Sequence, residues 1–439
     1  MRSTPAGRSG CFPGCSDLTS LDLENRPPVV VVGAGAAGLA AAIFAARGGH
    51  RTILLERTPD GGRKILVSGG GRCNVLPATA APERFVTDSS PNTLRKILLS
   101  WPLAEQRRFF EEEVGVPLAL ETESGKLFPV SNRARDVRDG LLALAARHGV
   151  ERRFGALVAG MEPDGVGWGG QGGWLVHLED GADLAARAVI VATGGLSLPG
   201  TGSDGIGLDL MRQLGHTVHD TYPALTPLTA EPARHAALAG ISLTVTIRAP
   251  GAGKVFTVHG GFLFTHHGYS GPAVLDISHL AVRSRLSGGS RQPLLVQWTD
   301  LDAAAWDEKL RTGSGTSGII LTPLRRLLPD RLAETLLDEA AIHPGRPHHQ
   351  LRREERLRLI ELLTRYPLPW TGDEGYRKAE VTGGGVALSE VDPRTLESRR
   401  HRGLFLCGEI LDAFGPIGGH NFSWAWATGR AAGLGAGSG

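Results

Sequence analysis

Apolar runs that end in glycine recur along this chain and mark its candidate sheet. The first run, VVVVGAGAAGLAAA at Val29–Ala42, begins with four valines, which is typical of a buried parallel strand. The glycines and the alanine-rich stretch that follow predict a tight turn into a helix. A second apolar run, TILLE, ends at Glu56. The pattern therefore predicts a strand, a glycine turn, a helix and a second strand.

The glycines of this turn match the G-x-G-x-x-G fingerprint of dinucleotide-binding folds. Gly33 permits the turn, Gly35 lets a pyrophosphate approach the backbone, and Gly38 allows the helix to pack closely on the strand. The helix N-terminus directs N–H groups toward the phosphates. Glu56 lies 23 residues after Gly33, near the spacing of the carboxylate that binds ribose hydroxyls. The segment predicts a dinucleotide site.

Two further glycine-rich segments extend this site. The run AVIVATGG at 188–195 predicts a strand that returns to the first sheet, with Thr193 and Gly194 beside the dinucleotide. The run GLFLCGEILDAFGPIGGHN, which begins at Gly403, predicts a strand, a glycine loop and a helix of small residues. The N-terminus of that helix suits N–H donation to an electron-rich flavin ring. Because a simple NAD dehydrogenase needs no such C-terminal return, the three segments together favour FAD.

A basic segment, GGRKILVSGGGRCNV at 61–75, adds positive charge to the site. Arg63, Lys64 and Arg72 are expected where a pyrophosphate or a reduced flavin would lie. The SGGG turn at 68–71 is typical of a backbone that a ligand approaches closely. Cys73 lies in a basic setting that lowers a thiol pKa, and two roles stay open for it, a redox thiol and a small packing residue.

Several motifs together carry a resemblance to a known family. SGGGRCN, FPVS, ATGGLSLPGTGSDGIG, GGFLFTHHGYSGPAVL, AEVTGGGV and GEILDAFGPIGGHN resemble the bacterial aminoacetone-oxidase-like, BaiN-type FAD-binding oxidoreductases over 28–433. The resemblance implies an α/β, Rossmann-type two-dinucleotide-binding-domain flavoprotein with an inserted β-rich and helical domain. It also implies one bound FAD, with NAD(P)H as a transient electron donor. Members are linked to aminoacetone oxidation and to reduction of bile-acid intermediates.

The residues expected to bind the cofactor follow from these motifs and their neighbours. They are Gly33, Gly35, Ala36, Ala37, Gly38, Glu56, Arg57, Arg63, Lys64, Ser68, Gly69, Gly70, Gly71, Arg72, Cys73, Asn74, Ala192, Thr193, Gly194, Gly408, Glu409, Gly418, Gly419, His420 and Asn421. Two departures from the family pattern matter. Val75, Leu76 and Pro77 stand where Thr-Asn is usual, and His420 stands where Tyr is common.

Composition along the chain predicts four segments. Residues 1–27 are expected to form a disordered tail, 28–199 the N-terminal part of the FAD-binding domain, 200–376 the inserted β-rich and helical domain, and 377–439 the rest of the FAD-binding domain. Helical spacing occurs at 94–113, 136–148 and within 317–366. Four cysteines in 439 residues favour a reducing cytoplasm. No apolar run reaches the roughly 18 residues of a membrane span.

Three residues are candidates for catalysis. His266 and Tyr269 lie in the family-like segment THHGYSGP and are expected to act as substrate-side acid and base. His420 is the third candidate, on the loop that faces the flavin. The second G-x-G-x-x-G, at 200–205, follows SLP rather than a strand and predicts a loop before a helix. The paired histidines lack Cys or carboxylate partners at ligand spacing, so we expect no metal site.

These observations favour an FAD-dependent oxidoreductase that transfers hydride to or from a small molecule, linked to NAD(P)H. An oxygen-using amine or amino-ketone oxidase is an alternative, because the sequence contains no dedicated NAD(P)H domain. RNA binding or non-enzymatic flavin carriage is a third possibility. A net charge of +2 and an aromatic content of 6% argue against a nucleic-acid partner. The sequence leaves the oligomeric state open.

Overall fold

The central layer of the molecule is a parallel sheet of five short strands. The computed structural model describes residues 27–165, 172–251, 255–311 and 318–437. The strands are β1 (Val29–Val32), β2 (Thr52–Glu56), β6 (Glu151–Phe154), β10 (Ala188–Val191) and β20 (Leu404–Leu406), in the order β20-β10-β1-β2-β6. All residues of β1 and β10 are buried. The predicted return of the middle and C-terminal segments to the first sheet is confirmed.

The other strands of the described residues form antiparallel sheets. One has the order β3-β5-β4, with β3 (Leu76–Pro77), β4 (Leu118–Glu121) and β5 (Lys126–Pro129). A second contains β7 (Val158–Asp164), β8 (Gly173–Leu178) and β9 (Asp183–Ala186). A third pairs β11 (Val218–Ala224) with β19 (Val381–Val386). The largest has the order β17-β16-β13-β14-β15-β12-β18, with β12 (Leu228–Thr229), β13 (Ser242–Ala249), β14 (Phe256–Phe264), β15 (Gly268–Ser270), β16 (Leu295–Gln297), β17 (Tyr366–Pro367) and β18 (Gly372–Asp373).

Helices cover these sheets and connect them. They are α1 (Ala36–Arg47), α2 (Arg63–Val67), α3 (Pro91–Leu98), α4 (Leu103–Arg108), α5 (Ala134–Arg147), α6 (Ile206–Gln213), α7 (Pro272–Leu286), α8 (Ala303–Leu310), α9 (Leu321–Arg325), α10 (Asp330–Glu339), α11 (Arg353–Thr364) and α12 (His420–Gly437). The predicted helix at 136–148 is confirmed as α5. The one predicted at 94–113 is interrupted between α3 and α4, where Pro102 cannot donate a helical hydrogen bond. Pro329 and Pro347 likewise divide the region 317–366.

Glycines set the distance between α1 and α12. A Cβ on Gly429 would lie 2.3 Å from the carbonyl oxygen of Ala37, and one on Gly433 would lie 2.4 Å from that of Ala41. A Cβ on Gly38 would lie 1.8 Å from the carbonyl oxygen of Gly33. Any side chain at these positions would push the backbones apart. The small residues of the C-terminal segment therefore let α12 lie directly on the dinucleotide-binding unit.

The described residues form two large hydrophobic cores and a smaller one. The first surrounds the parallel sheet, α1 and α12, and it includes Leu208 and Met211 of α6. The second extends from Leu228 to Trp370 and contains the seven-stranded sheet with α7 to α11. This separate core covers a narrower range than the expected inserted domain at 200–376. The reason is that α6 packs with the first core, while β11 pairs with β19 of the C-terminal segment.

Two predicted segments fall largely outside the described residues. Residues 1–26, with Cys11 and Cys15, are not covered, and neither are residues 166–171 of the stretch GVGWGGQGG at 165–173, whose glycine-rich composition predicts a loop. Among the helices given above, none combines the length and the apolar character that a membrane crossing requires.

Candidate functional site

A cavity of about 510 Å³ lies at the carboxyl ends of the parallel strands. Val32 of β1, Glu56 of β2, Ala192 after β10 and Gly408 after β20 all contribute to its wall. This is the edge at which open α/β sheets bind their ligands. The cavity extends from the turn between β1 and α1 to the N-terminus of α12. Its volume lies in the range of about 300–1,000 Å³ that is usual for small-molecule and cofactor sites.

The cavity brings together residues from the four segments that sequence analysis assigned to cofactor binding, at 29–56, 61–75, 188–195 and 403–421. Those that line it are Gly33, Gly35, Ala36, Ala37, Glu56, Arg57, Arg63, Lys64, Ser68, Gly69, Gly70, Asn74, Ala192, Thr193, Gly194, Gly408, Glu409, Gly418, Gly419 and Asn421. The candidates that lie outside its lining are Gly38, Gly71, Arg72, Cys73 and His420.

The turn between β1 and α1 leaves backbone open to the cavity. Gly33 has a φ of 102°, and a Cβ there would lie 2.6 Å from the carbonyl oxygen of Ala192, so the position requires glycine. A Cβ on Gly35 would meet no described atom within 4 Å. Gly35 is the N-cap of α1, and no side chain caps that helix. The positive end of the α1 dipole therefore faces the cavity, as an anion site requires.

Glu56 is held in place at the end of β2. Its Oε2 accepts a hydrogen bond of 2.8 Å from Ala34 N, and its Oε1 accepts bonds of 2.8 and 2.7 Å from the amide and hydroxyl of Thr58. Only 9% of the residue is exposed. Because a carboxylate has about four lone-pair acceptor sites, three bonds fix the group and leave acceptor capacity for a hydroxyl of a ligand.

Lys64 forms a network with residues far from it in the sequence. Its Nζ lies 2.5 Å from Oε2 of Glu409 and 2.5 Å from Oγ of Ser197. The Ser197 hydroxyl donates to Oε1 of Glu409 at 2.6 Å, and Thr382 N donates to the same oxygen at 2.9 Å. The network joins α2, the segment after β10, β19 and the turn after β20. It fixes the centre of the cavity wall.

The turn at 68–74 presents backbone atoms, rather than charged side chains, to the cavity. Gly69, Gly70, Gly71 and Cys73 all have positive φ, between 55° and 84°. Cys73 is fully buried, and this burial raises its pKa to about 12. The expectation that its basic setting lowers the thiol pKa is therefore wrong, because burial of the thiol has the largest effect on that pKa. The structure supports the alternative of a small packing residue.

Arg72 points away from the cavity. Its guanidinium carbon lies 3.7 Å from the centre of the Phe128 ring, and its nitrogens pair with Glu121 at 3.0 Å and with Asn132 at 2.9 Å. These contacts attach the turn to the sheet formed by β3, β4 and β5. The Arg72 side chain therefore holds the turn in place and does not line the cavity.

Hydrogen bonds from two asparagine side chains hold the loop before α12. Asn421 accepts from Gly415 N at 2.8 Å and donates to Gly415 O at 2.9 Å. With its amide oriented to suit its neighbours, Asn74 accepts from Gly419 N at 3.0 Å. Gly418 has a φ of 110°. The two asparagines therefore shape the loop that forms this end of the cavity.

His420 lies behind this loop. It is buried, packs edge-on against Phe85 at 6.0 Å between ring centres, and has a pKa lowered to about 4 by burial and by Arg84. It is neutral near pH 7. The structure gives it a packing position and does not bring it to the cavity.

His266 and Tyr269 also lie away from the cavity. His266 is exposed, and Tyr269 is completely buried in the second core. The Tyr269 hydroxyl contacts His235 Nδ1 at 2.9 Å, and burial raises its pKa far above the ordinary value. His235 in turn contacts Tyr366 and Glu339. The structure does not place these two candidates where a substrate in the cavity would meet them, so neither enters the function proposed below.

Some cavity residues were not predicted from the sequence. Lys126, Lys378 and Glu380 carry charge, and Phe414, Ile417, Phe422 and Trp424 are apolar or aromatic. Leu198, Thr201, Gly202 and Ser203 come from the second glycine motif. That motif precedes α6, as predicted, but its loop also lines the cavity. Its position directly after the ATGG segment was the available signal.

Comparisons with known proteins agree with this architecture. The family model described as HI0933-like protein Rossmann domain matches residues 27–435. A protein of Escherichia coli K12 named ribosomal RNA dihydrouridine synthase is 32% identical over 408 residues, which cover 92% of this chain and 96% of that protein. A protein of Clostridium scindens named 3-dehydro-bile acid delta(4,6)-reductase is 31% identical, with coverages of 92% and 97%.

Among solved structures, this chain is similar to a 3-ketosteroid-delta4-(5alpha)-dehydrogenase from Rhodococcus jostii RHA1. The TM-score is 0.48 at 16% identity, covering 96% of this chain and 99% of that one. The family match and the parallel sheet confirm the predicted α/β, Rossmann-type class. The chain belongs to the HI0933-like Rossmann-domain family and is an FAD-dependent oxidoreductase.

Proposed function

We propose that the cavity binds FAD and that the protein reduces a carbon–carbon double bond conjugated to a carbonyl group, with NAD(P)H as the electron source. The observation that carries this proposal is the continuity of one cavity from Glu56 to the loop at Gly418. An extended dinucleotide needs such a path, with ribose at the end of β2 and phosphates at the α1 N-terminus.

The residues present fit this cofactor. Gly35 offers open space at the N-terminus of α1, and the Glu56 carboxylate retains acceptor capacity. The ring end would lie between Gly69 and Gly418, where backbone rather than side chains faces the cavity. When bound, FAD supplies hydride transfer through its ring. The chain itself supplies orientation, enclosure and charge.

The proposed reaction class comes from what two relatives have in common. The names of these relatives refer to reduction of a bile acid and to formation of dihydrouridine. The steroid-type dienone and the uracil ring both carry a double bond conjugated to a carbonyl. The same chemistry therefore fits both relatives although their substrates differ greatly in size. This chain covers more than nine-tenths of each.

A second candidate is the same reduction on a uracil of ribosomal RNA. It is favoured by two relatives with that name, from Escherichia coli and Haemophilus influenzae. The expectation of a small-molecule substrate without a nucleic-acid partner stays a prediction. Steep salt dependence of binding would mark the RNA substrate, because phosphate contacts release counterions.

The test begins with anaerobic absorbance spectra of the purified holoprotein, titrated with NADPH and NADH. The reduced protein is then mixed with 2-cyclohexen-1-one, with a 4,6-dien-3-one bile acid, with unmodified ribosomal RNA, or with oxygen. We expect bleaching by one nucleotide and rapid reoxidation by a conjugated acceptor. Bleaching by amines or amino ketones, with peroxide formation in air and no reaction with conjugated acceptors, would replace the proposal with the oxidase alternative.

A further inference from the structure

The charged side chains on the cavity wall are of two kinds. Most are already engaged with a protein partner: Glu56 with Thr58, Arg57 with Asp204, Arg63 with Asp60, and Lys64 with Glu409. In the described part of the chain, no hydrogen bond or close ion pair engages the side chains of Lys126, Lys378 or Glu380, all of which line the cavity. Unengaged charges on a cavity wall are available to a ligand.

The backbone of Glu380 contacts two neighbouring segments, whereas its carboxyl is free. Its backbone N donates to the carbonyl oxygen of Leu225 at 3.2 Å, and its own carbonyl oxygen lies 3.3 Å from Oγ of Ser197. Ser197 belongs to the Lys64–Glu409 network. The backbone of Glu380 is therefore fixed beside this network, and the residue lines the cavity.

The surroundings of Glu380 favour its protonated form. Enclosure by protein raises the pKa of the carboxyl, and this effect exceeds the opposing effects of Lys126 and Lys64. The side chain lines the cavity and keeps an exposed surface that a ligand can reach. Such a carboxyl keeps a proton to higher pH than an ordinary glutamate, as a general acid requires.

Lys126 lines the same cavity from β5. It begins β5, and its Cε lies 3.6 Å from the position that a Cβ on Gly418 would occupy. The absence of a side chain at Gly418 leaves room for the lysine stem along the loop at the ring end. Lys126 and Glu380 line the same cavity, and the Lys126 charge opposes the rise in the pKa of Glu380.

We propose that Glu380 is the catalytic acid and that Lys126 binds the carbonyl oxygen of the substrate; this inference rests on the reaction proposed above. Hydride addition at the β-carbon moves the π electrons onto the carbonyl oxygen, and the Lys126 ammonium balances that negative charge. The O–H bond of Glu380 then breaks, and its proton forms the new C–H bond at the α-carbon. Water reprotonates the carboxylate, and the reduced flavin is the reductant that is oxidised.

The test compares Glu380→Gln and Lys126→Met with the control Glu374→Gln, a carboxyl in the same segment that does not line the cavity. Each holoprotein is reduced with dithionite, and its reoxidation by 2-cyclohexen-1-one is followed from pH 5 to 9. In a separate titration, 4-chlorophenol binds to the oxidised protein, because its phenolate resembles the enolate. FAD content of every variant is measured first.

The expected result is a loss of about 100-fold in the reoxidation rate of Glu380→Gln. The wild-type rate falls as pH rises through the raised pKa of Glu380, whereas the variant rate is flat. Glu380→Asp, which keeps an acid on a shorter stem, retains the pH dependence. Lys126→Met weakens 4-chlorophenol binding by about tenfold. The control resembles wild type in both measurements.

Equal rates and pH profiles for Glu380→Gln and the control would refute the role of the acid. Unchanged 4-chlorophenol binding in Lys126→Met would refute the role of the cation. If Glu380→Gln loses FAD, the pH profile of Glu380→Asp decides. A wild-type protein that no conjugated acceptor reoxidises would instead refute the proposed function, and this inference with it.

Discussion

Replacing Asp276 with asparagine should stabilise the protein at neutral pH. Asp276 lies on α7 of the second core, and its side chain is only 9% exposed. Its Oδ1 accepts a hydrogen bond of 2.8 Å from Ile417 N, in the loop that lines the cavity. Arg84, its ion-pair partner at 3.5 Å, is more than half exposed and compensates only in part. An asparagine oxygen would still accept from Ile417 without placing a charge there.

The magnitude follows from the pKa of this carboxyl. Burial raises it from 3.8 to about 6, against the opposing effects of Ile417 N and Arg84. A change of about two units corresponds to roughly 3 kcal/mol. Because the folded state holds the proton more tightly than the unfolded state, stability falls as pH rises from about 4 to 6, and the full cost is present above pH 6.

The measurement is thermal unfolding of wild type, Asp276→Asn and the exposed control Asp338→Asn between pH 4 and 8. We expect the Asp276 variant to match wild type at pH 4 and to unfold roughly 3–6 °C higher at pH 7.5. The control should follow wild type throughout. A variant that is less stable than wild type at pH 7.5, or that keeps the wild-type pH dependence, would show that ionised Asp276 is well compensated.

Three further changes test the cavity and its support. A Cβ at position 35 would meet no described atom within 4 Å, but Gly35→Asp places a carboxylate at the expected pyrophosphate position, so we expect a folded protein without FAD. Gly165→Asp, whose Cβ would also meet no described atom within 4 Å, should stay yellow. Gly433→Ala should lower the unfolding free energy by about 1–3 kcal/mol, because its Cβ would lie 2.4 Å from a carbonyl oxygen of α1; unchanged melting would contradict the packing argument. Cys73 should resist thiol reagents at pH 8 until denaturant is added, as peptide mapping would show, because its pKa is about 12.

Local chemistry made part of the site predictable. Gly33 and Gly38 are each required by a backbone contact between neighbouring elements, and such contacts leave a fixed spacing in the sequence. Glu56 follows because β2 pairs with β1 and ends at the same edge. These features depend on one strand–helix–strand unit, whose geometry is nearly independent of the rest of the fold.

Long-range pairing was not predictable in the same way. Lys64 and Glu409 are 345 residues apart, and only the assembled sheet brings them within 2.5 Å. Lys126 belongs to no motif, and the family-like motif AEVTGGGV, which contains Glu380, does not by itself indicate a role for that carboxyl. For Cys73, the sequence was misleading. Its neighbours along the chain are basic, but the Arg72 side chain turns away toward Phe128.

Helix α7, which packs in the second core, also contacts the loop that lines the cavity. Asp276 of α7 binds the loop at Ile417, and His279 of the same helix packs on Phe414 at 5.7 Å between ring centres. Both Ile417 and Phe414 line the cavity. One face of α7 belongs to the second core, while Asp276 and His279 on the same helix contact the cavity loop, so a shift of α7 would change the shape of the cavity at Phe414 and Ile417. Substrate specificity in this protein is therefore expected to depend on the position of α7 relative to the cavity loop.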